Sequence, residues 1–326
     1  MTSPCRDGRV FDSIRMVSVP IIKNYRLTVK GQRPVSLTNR FPGEGAGQRE
    51  KEGEDAVDRN SPVGVFDSGL GGVSVLRACA DLLPHEDFLF FGDSANAPYG
   101  EKTLDRVRDL TLARVGDLVD RGVKAVVVAC NTATSAAIAL LREQYPEIPM
   151  IGIEPAVKPA AQARDSSQVI VMATPLTIHE EKYQKLAAAF CHEAGVISLP
   201  CRGLAELVEE GHREGPVIDA YLQELFLPFR HCSVEYIVLG CTHYPFVEGA
   251  IRKNFGRPVE IIDGSEGTAR QLRRQLEAAD LLTDREGPGR VRFENSIPEK
   301  AEVSRRLFEE GARPGGPPGI FTTLQL

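Results

Sequence analysis

Two of the seven cysteines stand where a thiol can do chemistry. Cys130 and Cys241 each follow an apolar, β-rich run and open a polar stretch, CNT (130–132) and CTH (241–243). A cysteine that only fills a core has apolar neighbours. Here the neighbours are Asn131, Thr132, Thr242 and His243. A sulfur at the carboxyl end of a strand meets the first amides of the next helix. Those N–H groups and the helix dipole favour a thiolate, so a lowered thiol pKa is expected at both positions. Thr132 is expected to cap the helix after Cys130, and Pro245 to open the helix after Cys241. Cys79, Cys191, Cys201 and Cys232 lack this polar setting and read as small buried hydrophobes, while Cys5 supports no inference. Reduced thiols are expected throughout. Three chemistries suit a pair of such sulfurs: a disulfide couple, a metal site with His243 as a third ligand, or acid–base work on two faces of one carbon. The last would be racemisation, in which a thiolate removes a proton from one face and a thiol returns one to the other.

The elements that must position these sulfurs begin at Ser61. Strand-like runs at 63–66, 87–91, 125–129, 150–153, 169–173, 196–199, 236–239 and 259–262 alternate with helical stretches such as 103–120, 132–144, 203–210 and 245–255. Strands alternating with helices predict βα units around parallel sheets. VGVFDSGLG (63–71) resembles VIVMATPLT (169–177), and AVVVACNTATS (125–135) resembles YIVLGCTHYPF (236–246), at nearly equal offsets. The fold class expected is therefore α/β, with two pseudo-symmetric α/β domains of mainly parallel sheets and the active site in the cleft between them. Residues 61–155 with about 265–310 would form the first domain and 156–264 the second. Catalytic groups in such sheets gather at strand carboxyl ends. Residues 1–60 are rich in Pro, Gly and scattered charge and are expected to be a disordered extension, with translated upstream sequence or a regulatory arm as alternatives. The Pro/Gly-rich stretch after Gly311 predicts a frayed tail over 311–326.

Composition narrows the function. The formal net charge of −6 argues against a general nucleic-acid binder, so no nucleic-acid partner is expected. No apolar run approaches the roughly 20 residues of a membrane helix, and no apolar signal segment opens the chain. A cytoplasmic protein with no membrane partner is expected. No CxxC or CxxH pair occurs, so no structural metal is expected. The Gly-rich DSGLGG (67–72) lacks the lysine of a phosphate loop, which weakens a nucleotide-binding alternative.

Six motifs taken together resemble the glutamate racemases of the aspartate/glutamate racemase superfamily. They are GVFDSGLGG (64–72), FGDSANAPYG (91–100), VVACNTATS (127–135), GIEPAVKPA (152–160), ATPLTI (173–178) and VLGCTHYPF (238–246). The resemblance runs from about Ser61 to Glu310. It implies cofactor-independent, two-base racemisation of glutamate, a homodimer, and D-glutamate for peptidoglycan. By the same resemblance Cys130 is the thiol acting on D-glutamate and Cys241 the thiol acting on L-glutamate. Asp67 assists the first thiol, and His243 assists the second with Glu154 nearby. Ser68, Tyr99, Gly100, Asn131, Thr132, Thr174 and Thr242, with Asp67 and His243, are implied to hold substrate. Each residue also has a plain structural alternative: Asp67 as a helix cap, Tyr99 as a turn residue, His243 as a satisfied turn histidine, Glu154 as a charge at a helix start.

The pattern departs from the family at Leu176, where Gly is usual, and at Glu180, where a small residue is common. Both are expected to alter the rim of the site near Thr174. A relative acting on aspartate, a hydantoin or a malonate is the rival enzyme reading. The presence of both cysteines and of His243 favours glutamate.

Overall fold

Four apolar runs, VGVFD, AVVV, QVIVMA and VEYIVLG, become inner strands of two sheets, as expected for strands covered on both faces. The computed structural model describes residues 57–162, 168–190 and 195–310, with the backbone of 322–323. Residues Ala56–Leu326 form one compact unit.

The first sheet contains β1 (Val63–Asp67), β2 (Phe88–Gly92), β3 (Ala125–Val128) and β4 (Met150–Gly152). Helices α1 (Val73–Leu82), α2 (Leu104–Val119) and α3 (Asn131–Gln144) lie between them. After α4 (Val157–Gln162) the chain builds a second sheet from β5 (Gln168–Ala173), β6 (Gly195–Pro200), β7 (Val234–Gly240) and β8 (Glu260–Asp263). Its helices are α5 (Pro175–His179), α6 (Glu181–Phe190), α7 (Leu204–Glu209), α8 (Pro216–Phe226) and α9 (Glu248–Phe255). The chain then returns to the first sheet through α10 (Ser265–Ala278), β9 (Arg290–Asn295), α11 (Glu299–Glu310) and β10 (Thr322–Thr323). The strand orders are β10-β9-β2-β1-β3-β4 and β6-β5-β7-β8. Every pairing is parallel. Each sheet with its helices forms one lobe.

The first lobe has a core on each face of its sheet. One joins Val63, Val65 and Phe90 to Leu76 of α1, Leu272 and Leu276 of α10 and Phe308 of α11. The other joins Phe66, Val126 and Val128 to α2 and α3. In the second lobe Val169, Val171 and Val238 pack under α4 and Tyr183 of α6. Parallel winding brings the carboxyl ends of β1, β3, β5 and β7 to Asp67, Cys130, Thr174 and Cys241.

Several expectations need correction. β9 was not foreseen, because RVRFEN alternates buried Val291 and Phe293 with exposed Arg290 and Arg292 and lacks a continuous apolar run. Residues 57–60 belong to the ordered fold: Arg59 pairs with Asp280 at 2.9 Å, and Asn60 accepts from the Thr283 hydroxyl at 2.8 Å. The expected disorder of residues 1–56 lies outside the described residues. Within the tail expected to fray, Thr322 and Thr323 pair with Arg290 and Val291; the rest of it is outside the described residues. Cys79, Cys130, Cys201 and Cys241 are free thiols, but Cys232 is disulfide-bonded, against the expectation of reduced thiols throughout. Among the described residues no helix is long and apolar enough to cross a membrane.

Candidate active site

Cys130 is itself the N-cap of α3, and its Sγ accepts from the Ala133 N–H at 3.4 Å. The Ser68 hydroxyl donates to the same sulfur at 3.3 Å. The cap expected of Thr132 is thus made by the sulfur, and the Thr132 hydroxyl points elsewhere. It lies 3.0 Å from the Thr174 hydroxyl and 3.1 Å from that of Thr177 on α5, tying α3 of one lobe to α5 of the other. Thr174 caps α5 by accepting from the Thr177 N–H at 3.2 Å. Gly100 allows this approach, because a Cβ there would stand 2.7 Å from Thr174 Cβ.

Burial overrides the helix terminus at Cys130. Desolvation, reinforced by the Asp67 carboxylate, pushes its thiol up to about 12, despite the lowering effect of Ser68 and Ala133. The lowered pKa expected at this sulfur is therefore corrected: it rests as a thiol. Asp67 is fully buried, and desolvation likewise raises its carboxyl above the usual range. It accepts from the Gly69 N–H at 2.9 Å and from the Thr242 hydroxyl at 3.2 Å, another bond between lobes.

Cys241 follows β7 and leads into a 3-10 turn (Tyr244–Val247) holding Pro245; α9 begins only at Glu248. No α-helix starts at this sulfur, so its setting is made by side chains. Cys241 Sγ lies 3.7 Å from His243 Nδ1, and His243 Nε2 lies 2.8 Å from Glu209 Oε1. Burial disfavours the charged imidazole, but its hydrogen bonds to Cys241 and Glu209 outweigh that and raise His243 well above its ordinary 6.5. Burial also works against the Glu209 carboxylate; the bonds from His243, Lys300 and the Leu70 N–H win and hold it down at about 2. The imidazole thus lies between a carboxylate and a sulfur, and both contacts favour its charged form.

A pocket lies between the lobes, lined by Ser68, Cys130 and Asn131 from one and by Thr174, Cys241 and His243 from the other. Tyr99, Gly100, Thr132, Thr242 and Glu209 also line it, and Asp67 sits behind Thr242. Both polar atoms of the Asn131 side chain are buried without a hydrogen-bond partner. A buried amide left unpaired is costly, and beside a pocket it suits the polar groups of a small ligand.

Two expected residues behave otherwise. The Tyr99 hydroxyl donates to Asp93 at 2.8 Å, so the ring lines the wall while its polar end is already engaged. Glu154 is not in this pocket. Its side chain is 54% exposed and pairs with Lys182 at 2.9 Å, beside a second cavity lined by Ser135, Pro155 and Tyr183. The carboxylate beside His243 is Glu209, which the sequence reading missed. Leu176, expected to alter the rim, packs against the first-lobe core cluster that contains Tyr99.

The fold and site define a class. The sequence pattern of the Asp/Glu/Hydantoin racemase family matches residues 64–272, and the chain belongs to that family. It is an amino-acid racemase, an isomerase. Among its relatives, the glutamate racemase of Clostridium perfringens is 46% identical over 253 residues, covering 77% of this chain and 97% of that protein. Among solved structures, the Francisella tularensis glutamate racemase in complex with D-glutamate superposes with a TM-score of 0.67 at 31% identity, covering 77% of this chain and 94% of that one. The Escherichia coli glutamate racemase with L-glutamate and an activator gives 0.65 at 28% identity, covering 76% and 95%.

Proposed function

We propose that the chain interconverts L- and D-glutamate with Cys130 and Cys241 as the two acid–base groups. The observation that carries this is two buried thiols, one from each lobe, lining a single pocket. Relatives solved with D-glutamate and with L-glutamate support the substrate.

In the direction from L-glutamate, Cys241 as thiolate takes the Cα proton. The electron pair spreads onto the α-carboxylate as enolate-like charge. The Cys130 thiol then donates its proton to the opposite face, and D-glutamate leaves. Cys130 is suited to donate because burial keeps it protonated. In reverse it must first lose its proton, and Asp67, itself raised by burial, is the acceptor. His243, its charged form favoured between Glu209 and Cys241, stabilises negative charge on the second sulfur. Asn131 and the Thr132–Thr174–Thr177 cluster offer donors to the carboxylates without placing a lysine or arginine against the sulfurs. Such fixed dipoles aimed at developing charge account for much of a rate enhancement. D-glutamate made this way would supply peptidoglycan synthesis, as the resemblance implies.

The test is NMR of the Cα proton in deuterated water, with each enantiomer supplied separately and aspartate as control. Wild type should exchange and interconvert both glutamates. Cys130→Ala and Cys241→Ala should each lose racemisation by more than about a thousandfold, the scale of removing an acid–base group. Full racemisation by either variant would defeat the two-thiol mechanism. No exchange of glutamate by wild type would defeat the substrate assignment.

A further inference from the structure

Glu209 is held from both lobes at once. It sits at the end of α7 in the second lobe with its side chain 11% exposed. Its Oε1 accepts from His243 of its own lobe at 2.8 Å and from the Leu70 N–H of the other lobe at 2.8 Å. Its Oε2 accepts from Lys300 at 2.5 Å. Lys300 lies in the first turn of α11, a helix that packs against β9 and α1 of the first lobe. Its backbone N–H is anchored to the Ile297 carbonyl at 2.9 Å. The lysine therefore reaches from a helix remote in sequence to the carboxylate behind His243.

The distribution of donors gives Lys300 its role. Two donors share Oε1, and among the described residues Lys300 is the only donor to Oε2. A carboxylate fixed through one oxygen can swing about its last side-chain torsion, which is soft. A second donor on the other oxygen fixes its plane, and with it the direction in which His243 presents Nδ1 to Cys241. Glu209 is the more enclosed partner, 11% exposed against 29% for Lys300, so removing the lysine leaves one carboxylate oxygen without its partner at a site water reaches poorly, and the effect exceeds that of a fully exposed pair.

We propose that Lys300 is a positioning residue for the Cys241 half of the site: reaching from α11 of the first lobe, it locks Glu209 of the second and, through it, His243. This rests on the two-thiol reading above. Lys300 touches neither substrate nor sulfur. Its loss should weaken proton transfer at Cys241 and leave Cys130 nearly untouched, because the Cys130 contacts come from Ser68 and Ala133.

Racemisation alone cannot show that asymmetry. The enantiomers have equal free energy, so kcat/KM must stay equal in the two directions in any variant. Elimination can show it, because only one proton transfer is needed. From a glutamate carrying chlorine on Cβ, the thiolate takes the Cα proton, the Cα–H pair forms the Cα–Cβ double bond, and chloride leaves with the Cβ–Cl pair. The enamine tautomerises and hydrolyses to 2-oxoglutarate and ammonium, both easily assayed. The L compound reports Cys241 and the D compound reports Cys130.

In Lys300→Met, elimination from the L compound should fall about tenfold, while that from the D compound stays within about twofold. Lys300→Arg keeps the charge and reach and should recover most of the loss, which covers the case in which the methionine variant folds poorly. The proposal is overturned if wild type eliminates from both compounds while Lys300→Met and Lys300→Arg lose both alike, or lose neither. If wild type eliminates from neither compound, the two-thiol reading falls and takes the proposal with it.

Discussion

At the residue scale, burial has opposite consequences for neighbouring groups. Asn131 lines the pocket with its amide buried and unpaired. An unsatisfied buried polar group costs stability, and beside a pocket the polar atoms of a ligand could satisfy it. Asn131→Ala should leave the urea midpoint unchanged or slightly higher while raising KM for both glutamates about tenfold or more. A lower midpoint with unchanged KM would contradict this. Glu209 and His243 titrate in opposite senses. Glu209 is held at about 2, below its unfolded value, so its contribution to stability is complete above the unfolded pKa of 4.5 and is lost as pH falls towards 2. His243 is raised, so its contribution is complete below its unfolded value of 6.5 and is lost as pH rises through the raised folded value. Urea midpoints should therefore fall on both sides of a plateau between about pH 4.5 and 6.5. Glu209→Gln should flatten both flanks, because it removes one shifted group and the main partner of the other. Unchanged flanks in that variant would show that other groups set the profile.

At the element scale, the site is made where strand ends from two sheets meet, and glycines let the elements approach. A Cβ on Gly71 would stand 2.7 Å from His243 Nδ1 and closer still to the Thr242 hydroxyl. Gly71→Ala should push the β1–α1 turn away from the β7 turn. Activity should fall at least about a hundredfold, since a misplacement near 1 Å can cost that much, while circular dichroism stays that of the folded protein. Retained activity would mean the lobes have slack that the packing does not show. This geometry explains what the sequence made legible. Strands β1, β3, β5 and β7 were readable because burial on both faces leaves continuous apolar runs, and Cys130 and Cys241 because polar residues follow such runs directly. β9 was hidden because its one-sided burial gives only Val291 and Phe293 as signal. Glu209 was hidden because a charge after LV, next to a second glutamate in LAELVEEGH, looks solvated. Its spacing was the available clue: it lies four residues after Ala205, which is buried, and so on the inward face of α7. Glu154 misled because a glutamate next to a strand-end motif resembles a site residue until its exposure is known. The partners of Lys300 could not be inferred, since 91 positions separate it from Glu209 and no local pattern joins them.

At the scale of the whole molecule, the described fold starts before its first strand. Lys124 is fully buried on a pair with Glu86 at 2.5 Å, and its ammonium also donates to the Arg59 carbonyl. Glu86 in turn accepts from the Thr283 N–H at 2.8 Å. One charge pair thus pins residues 57–62 and the segment after α10 to the base of the first sheet, at the end opposite the pocket. Burial lowers the Lys124 pKa, so the ammonium depends on these acceptors. A chain beginning at Val57 keeps all of them; one beginning at Pro62 loses the Arg59 carbonyl, the Asn60–Thr283 bond and the Arg59–Asp280 pair. The exposed Arg59–Asp280 pair contributes little. The buried acceptor should dominate, and its loss should cost roughly 1–3 kcal/mol. Urea unfolding should therefore place the Val57 chain level with the full chain and the Pro62 chain measurably below it. Glutamate racemisation by the Val57 chain should match that of the full chain, because every described pocket residue, with Asp67 and Lys300, lies after position 57. A Val57 chain that folds with an unchanged midpoint but loses activity would show that residues 1–56 act on the site. Equal midpoints for all three chains would show that Lys124 finds a replacement acceptor and that the segment before β1 is not part of the fold's support.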